Sequence, residues 1–403
     1  MAEIGWIDFS RNDRNRVGSI LDMLRPEGQV DELGIGTIRD ALSDRLFPGI
    51  STIQTRAKYF FIVPYILRDF LRLKPAERKK KTPSRYLEQE EYEIMWQLAE
   101  KYEYQEGNGV IGISKRRPNK IVRRPSEVYW NGLNVFGSLN SKGLSANAFL
   151  NSTNKTNQES LTMDDEDNKD DADADFVNFF NVNVPINLKW KEDLDLNLNK
   201  EEAGFLRDAM VDKSNSLLSL LVSDDFYELF EQSNSFTDFV RAIIQQEIPS
   251  SLKEDLVLAH DFAIVIEGAH LAYNQELQKQ FYQQDYFLEN WQNWYDELKI
   301  NMLNYDGFDP EKLFHYATST KGPTADFIRA WWNLMQSEKL DLEKVSYLIR
   351  RQEAFSKGKK ARLKFKSGSD VKEGKRIGLQ MLQYRFGNAK VIVRDVMKGM
   401  EDA

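Results

Sequence analysis

Apolar residues recur at helical spacing along most of the chain, and this pattern predicts a mainly α-helical protein. The spacing is clearest in the C-terminal half. It runs there through residues 214–221, 225–230, 236–247, 252–283, 286–298, 310–316, 325–335 and 342–355. Strand-like alternation is nearly absent, so only minor β structure is expected, near residues 108–124.

The N-terminal third predicts shorter helices separated by proline and glycine. A first helix is expected over residues 10–25 and ends at Pro26. A second helix ends at Pro48-Gly49, and a third is expected to start at Ser51. Pro64 falls inside the third pattern, which continues beyond it, so this proline predicts a kink within the helix and not its end.

The segment Thr37–Phe61 is a candidate helix-turn-helix in the N-terminal lobe. Its second helix would present polar and basic side chains to a DNA groove, namely Thr52, Gln54, Thr55, Arg56 and Lys58. Glutamine suits adenine edges, arginine suits guanine, and threonine and lysine suit phosphates. A plain packed helical hairpin explains the same pattern, because any such hairpin exposes polar residues.

Composition divides the chain into four expected regions. Residues 1–140 form an N-terminal helical domain with a basic loop. Residues 141–183 are rich in Asn, Ser, Thr and acids, and they predict an acidic low-complexity linker or insert without structure of its own. Residues 184–345 form a second helical domain, and residues 346–403 form a basic C-terminal segment with a final helix. The expected architecture is therefore two helical lobes.

Charge is segregated along this chain of net charge −8. Basic residues concentrate in the runs 74–85, 115–124 and 344–376, and the last holds twelve Lys and Arg against three acids, a net of +9. Segregated basic faces are typical of phosphate binding, whereas a single run is more often a solvated loop. The predicted nucleic-acid-binding residues are Gln54, Arg56, Lys58, Lys115, Arg116, Arg117, Lys120, Arg123, Arg124, Lys357, Lys359, Lys360, Arg362 and Lys364.

Several kinds of chemistry are excluded or disfavoured. The chain has no Cys, which removes disulfides, thiolate zinc sites and a Cys nucleophile. Gly107–Gly112 matches G-x-G-x-x-G without a preceding strand, so it predicts a loop. The three histidines, His260, His270 and His315, are assigned to the core or to helix edges. We expect no cofactor, metal or catalytic residue, and a cytoplasmic protein without a membrane anchor.

Five carboxylates leave one catalytic alternative open. Two-metal hydrolysis of nucleic acid requires clustered acids, and the candidates are Asp8, Asp31, Glu32, Asp40 and Asp44. Their convergence is not fixed by spacing, and Asp31-Glu32 is equally an acid pair at the start of a helix.

Three stretches carry a resemblance to a known family. They are Gly5–Ser10, Asp31–Asp40 and Ser51–Phe60, and they are supported by Tyr129–Leu133 and Gly268-Ala269. The chain resembles the uncharacterised bacterial family named domain of unknown function 6361. The resemblance implies a bacterial origin and gene neighbourhoods of phage defence or mobile elements, and it implies no activity.

Three functions follow as hypotheses. The first is a non-catalytic nucleic-acid-binding accessory subunit of a bacterial anti-phage defence or mobile-element system, with DNA as the expected ligand and RNA as the alternative. The second is a structural adaptor that docks a helicase or nuclease of the same system. The third is a metal-dependent nuclease.

Overall fold

The computed structural model describes residues 31–162, 182–223, 226–301, 307–365 and 369–401, and it confirms a mainly α-helical fold. The helices are α1 (Gly36–Leu46), α2 (Tyr59–Leu71), α3 (Pro75–Arg78), α4 (Pro83–Lys101), α5 (Pro125–Val135), α6 (Ala146–Thr162), α7 (Lys200–Val211), α8 (Leu217–Ser223), α9 (Tyr227–Gln232), α10 (Phe236–Ile243), α11 (Ser250–Tyr282), α12 (Leu288–Ile300), α13 (Pro310–Tyr316), α14 (Gly322–Gln336), α15 (Leu342–Lys357), α16 (Arg362–Phe365) and α17 (Phe386–Glu401). The first helix expected from the sequence, over residues 10–25, lies outside the described residues.

The minor β structure expected near residues 108–124 is not found there. Gly107, Gly109 and Gly112 have positive φ angles, which form turns and interrupt an extended strand. Within the described ranges, one isolated antiparallel bridge joins Leu139 and Val182.

The described chain divides into two compact units. Unit 1 contains residues 31–42 and 254–383, and unit 2 contains residues 43–253 and 384–401. This division differs from the four expected regions. The C-terminal helix α17 belongs with unit 2, whereas residues 346–383 belong with the helices of unit 1.

Part of the expected linker, residues 141–183, is helical. Phe149 and Leu150 of α6 are buried, and α6 packs against α4 and α5. A few apolar residues at helical spacing are enough to bury one face of an otherwise polar helix. The acidic residues 163–181 lie outside the described part of the chain.

Helix α2 forms the core of unit 2. All but three of its residues are buried, and it packs against α4 and α5. Phe60 meets the ring of Tyr129 edge-on, with centroids 4.9 Å apart. Pro64 lies inside α2, as the pattern predicts.

Helix α17 packs against α7 and α8, also in unit 2. Asn199 caps α7 by accepting a hydrogen bond from the Glu202 amide, and the Glu202 side chain accepts one from the Asn199 amide.

Unit 1 is organised around α11. The indoles of Trp294 and Trp331 donate to the Ile264 and Val265 carbonyls of this helix, at 2.8 and 2.9 Å. By length and composition α11 passes as a membrane span, and 83 % of its most apolar window is buried inside the protein, as in the core helix of a globular fold.

Polar side chains of α11 also fix the loop 371–377 through its backbone. Asn274 accepts from the Ile377 amide and donates to its carbonyl. Gln278 accepts from the Gly374 amide and donates to the Lys372 carbonyl, and Tyr282 donates to the Val371 carbonyl. These bonds reach the backbone of the loop. Among the loop's side chains, that of Arg376 also pairs with Glu267 of α11, at 2.6 Å.

Candidate nucleic-acid interface

One face of α4, in unit 2, combines basic, acidic and aromatic side chains. The helix begins where the sequence allows it, because Pro83 occupies its first position and the Thr82 hydroxyl accepts from the Arg85 amide at 3.3 Å. The residues Arg85, Glu88, Gln89, Tyr92, Glu93 and Trp96 follow at spacings of three and four, which places them on the same side of the helix.

The basic loop between α4 and α5 folds over this face. The guanidinium of Arg117 lies 4.9 Å from the ring centre of Trp96, and the ammonium of Lys120 lies 4.9 Å from that of Tyr92. Near the end of α4, the Arg116 guanidinium lies 4.0 Å from the ring centre of Tyr104. These contacts are cation–π interactions, which hold the cations at defined places above the aromatic rings.

Two of the three basic runs therefore meet at α4. From the run 74–85, Lys81 lies 5.3 Å from the ring of Tyr86, and Arg85 shares a cavity wall with Lys120 of the run 115–124. We call this surface the α4 basic face and define it by Arg85, Lys115, Arg116, Arg117, Lys120 and Arg123 together with the rings of Tyr92, Trp96 and Tyr104.

The charges on the α4 basic face are partly neutralised. Arg117 pairs with Glu93 at 2.8 Å, and Lys120 pairs with Glu88 at 2.7 Å. Lys115 and Arg123 make no ion pair with any residue that the structure describes, so no acid neutralises their charges there. Lys115, Arg116, Arg117 and Lys120 are exposed, and Arg123 is half-buried.

A cavity of about 600 Å³ opens on the same face. Its lining consists of Arg85, Glu88, Gln89, Glu90, Tyr92, Glu93, Trp96 and Lys120. Sequence reasoning missed the contribution of Tyr92 and Trp96. The usable signal is their spacing of four within a helix, next to a basic run that has few acids.

The end of the basic loop is anchored by a buried carboxylate. Glu91 accepts hydrogen bonds from the amide and the hydroxyl of Ser126, at 2.5 and 3.0 Å, and pairs with Arg124 at 3.3 Å. Burial outweighs the favourable charge of Arg124 and the hydrogen bonds from Ser126, and it raises the pKa of Glu91 to about 7.

This anchor predicts a pH-dependent stability. Between the ordinary pKa of 4.5 and about 7, the folded protein keeps a proton on Glu91 that the unfolded chain has released. The wild type should therefore lose roughly 3 kcal/mol of unfolding free energy, relative to Glu91→Gln, as the pH rises through this window. Urea unfolding of both proteins across the window measures the difference, and a difference that stays constant with pH contradicts the assignment.

The helix-turn-helix is not confirmed. Residues 51–58 are not helical, and α2 begins at Tyr59. The amides of Thr55 and Arg56 donate to the Tyr129 hydroxyl, at 2.8 and 3.0 Å, so distant partners replace the expected helical hydrogen bonds.

The three N-terminal candidates hold unit 2 together. Gln54 is buried and donates to the Gly49 carbonyl. Arg56 pairs with Asp395 at 2.8 Å, and buried Lys58 pairs with Glu202 at 2.7 Å. The burial of Gln54 and Lys58 keeps both side chains away from any nucleic acid in this conformation.

The C-terminal basic run, in unit 1, separates into paired and exposed residues. Lys357 and Arg362 flank the buried carboxylate of Glu32, at 3.5 and 2.9 Å, and Arg362 also pairs with Asp370. Among the predicted binding residues of this run, Lys359, Lys360 and Lys364 are exposed. That these exposed lysines bind phosphates stays a prediction.

The described carboxylates that were candidates for a nuclease site each have a separate hydrogen-bond or ion-pair partner. Asp31 accepts from the amides of Ile35 and Gly36 at the start of α1, and Asp40 pairs with Arg39. Asp44 pairs with Arg385 in unit 2, and Asp8 lies outside the described residues. Across the described ranges, no group of three or more His, Asp and Glu could hold a metal ion.

The three histidines differ in burial and in their contacts. His270 is buried in α11, where burial and the nearby charge of Arg376 lower its pKa to about 3, so its imidazole is neutral at physiological pH. This agrees with its assignment to the core. His260, half-buried, contacts the neighbouring Asp261 at 2.9 Å, and His315 is exposed at the end of α13.

Fold and site together define a mainly α-helical protein with a basic and aromatic surface on unit 2. The chain belongs to the family of unknown function DUF6361, which it matches over residues 1–398. Neither the curated proteins nor the solved structures include one that matches it.

Proposed function

We propose that this protein binds nucleic acid through the α4 basic face, as a non-catalytic accessory subunit. The observation that carries the proposal is the meeting of two basic runs, separate in sequence, along one helix that also carries aromatic rings. Clustered Lys and Arg provide the electrostatic attraction to phosphates, and aromatic rings add contacts to bases. The wider setting, an anti-phage defence or mobile-element system, rests on the family resemblance alone.

Charge reversal at the outer edge of the face tests the proposal. The variant Lys115→Glu/Arg116→Glu/Arg123→Glu changes side chains that make no ion pair with described residues. We expect its affinity for DNA to fall by roughly 10- to 100-fold at low salt. The slope of log K against log salt should become shallower by about 2 to 3, because each lost phosphate contact removes nearly one released counterion. Fluorescence anisotropy over a salt series measures both quantities.

A matched variant separates this local effect from the change in net charge. Lys200→Glu/Lys253→Glu/Lys312→Glu alters three exposed lysines outside the basic runs by the same total charge. Equal losses in the two triple variants contradict the proposal. So does the absence of binding by the wild type at low salt, which favours the adaptor hypothesis instead. The exposed Leu342 and Tyr347 beside a cavity of about 680 Å³ in unit 1 are then the first docking surface to test.

A further inference from the structure

The aromatic pair of α4 offers a stacking surface beside a cavity. Tyr92 and Trp96 stack one helical turn apart, with ring centroids 5.8 Å apart and an angle of 26° between their planes. Tyr92 is buried, and Trp96 is half-buried. The buried Tyr92 ring therefore packs against one face of Trp96, and Trp96 is the more accessible ring of the two. The cavity volume of about 600 Å³ lies within the range of known small-ligand sites and is large enough for a nucleotide.

The remaining lining groups suit the parts of a nucleotide. The amide of Gln89 both donates and accepts hydrogen bonds, as base edges require. Arg85 supplies positive charge for a phosphate at the same cavity, whereas the charge of Lys120 is neutralised by Glu88. The lining has three acids, and each is paired: Glu88 with Lys120, Glu93 with Arg117 and Glu90 with Lys191. They therefore do not present unneutralised negative charge to a nucleic acid.

Trp96 is held by stacking and not by a hydrogen bond. Its indole N–H is covered and has no acceptor among the described residues. The Arg117 side chain above the ring is 47 % exposed, so it can move aside or cover the far side of an inserted base. An arginine and an aromatic ring on opposite sides of a base form a common sandwich in single-strand recognition.

We propose that the α4 basic face selects single-stranded nucleic acid and stacks an unpaired base on Trp96. This inference rests on the proposed function and specifies its ligand. In a duplex the bases are already stacked on one another and paired, so the rings of the face gain no contact with them. The Lys and Arg side chains attract the phosphates of both forms. The duplex lacks the stacking contribution, so it binds more weakly than the single strand.

The test compares the full-length protein on a single-stranded oligothymidine and on a duplex of equal length, at one salt concentration. We expect the wild type to prefer the single strand by at least about tenfold, because a base stacked on Trp96 adds favourable binding that a paired base cannot provide. Trp96→Leu keeps apolar bulk and loses the aromatic face. It should bind the single strand roughly tenfold more weakly and the duplex as the wild type does.

Two further variants control for folding and for aromatic content. Trp96→Phe retains a stacking face and should keep most of the single-strand affinity. Tyr347→Leu removes an exposed aromatic ring from unit 1 and should leave both affinities unchanged. Equal affinity of the wild type for the two forms overturns the inference, as does an equal loss of both in Trp96→Leu. If binding falls in the Lys115→Glu/Arg116→Glu/Arg123→Glu variant but not in Trp96→Leu, this inference alone is overturned. If the wild type binds neither the single strand nor the duplex, the proposed function is overturned as well.

Discussion

Replacing Lys58 with methionine should destabilise the protein by about 3–5 kcal/mol, because it leaves a buried carboxylate without its counter-charge. The Lys58 ammonium donates to both oxygens of Glu202, at 2.8 and 2.7 Å, and the two side chains are 6 % and 0 % exposed. The Tyr65 hydroxyl and the Asn199 amide donate to the same carboxylate, each at 3.0 Å, and these neutral donors do not replace the counter-charge. Burial and the charge of Glu202 also raise the pKa of Tyr65, which keeps its hydroxyl protonated as a donor.

The measurement is urea unfolding, combined with hydrogen exchange at the amides of α2 and α7. Lys58 directly precedes α2, and Glu202 lies in α7. Lys101→Met is the matched control, since Lys101 pairs with Asp195 at 2.7 Å while its side chain is 49 % exposed. An exposed pair of this kind should contribute less than about 1 kcal/mol. The double variant Lys58→Met/Glu202→Met should recover part of the loss, because it removes both buried charges together. Equal effects at Lys58 and Lys101 refute the expectation.

Gly268→Ala should cost roughly 3 kcal/mol, although alanine favours helix formation over glycine. A Cβ at position 268 of α11 would lie well inside van der Waals contact of the Trp294 ring. The ring cannot retreat easily, because its N–H donates to the Ile264 carbonyl and it stacks on Trp331 with centroids 6.3 Å apart. The expected result is a lower urea midpoint, with increased hydrogen exchange in α11 and α12.

The same substitution in α7 should act in the opposite direction. A Cβ at Gly204 would meet only the Met400 sulfur, at 4.0 Å. Gly204→Ala should therefore stabilise the protein by about 0.5–1 kcal/mol through helix propensity and the entropy of the unfolded chain. If both alanine variants shift the midpoint the same way, close packing at Gly268 is not the cause.

Features of the fold with local causes could be predicted from the sequence. Asn199 with Glu202 is a capping box readable from spacing, and Pro125 with Glu127 marks the start of α5. Pro64 inside α2 follows from the apolar pattern that continues on both sides of it. In each case the stabilising groups lie within a few residues of one another, so a short window of sequence contains the whole argument.

The segment 51–58 could not be predicted in this way. Its polar residues allow a helix start, yet its amides and carbonyls find partners far along the chain. Tyr129 accepts from two of its amides, Asp395 accepts from the Ala57 amide, and Asn388 donates to the Thr52 and Gln54 carbonyls. Local propensity is a weak preference, and tertiary hydrogen bonds of this number outweigh it.

Only part of the candidate site could be predicted, because the rest of it depends on contacts between residues that are far apart in the sequence. Composition identifies the basic run 115–124, and it cannot show that the run folds over α4. Nor can it distinguish exposed Lys359 from Arg362, whose side chain pairs with Glu32, more than 300 residues earlier in the chain. A count of charges treats both as surface cations, although one serves the stability of unit 1.

The loop 371–377 has a property that follows from how Asn274, Gln278 and Tyr282 hold it. These side chains bind backbone groups, which every amino acid carries, so the path of the loop does not depend on the identity of Lys372 or Lys375. At these two lysine positions, the path of the backbone and the surface charge are independent of each other. Substitution of Lys372 or Lys375 can therefore change the charge that this loop presents without changing its course, whereas Arg376, which pairs with Glu267 of α11, is part of the support and is not free to vary in this way.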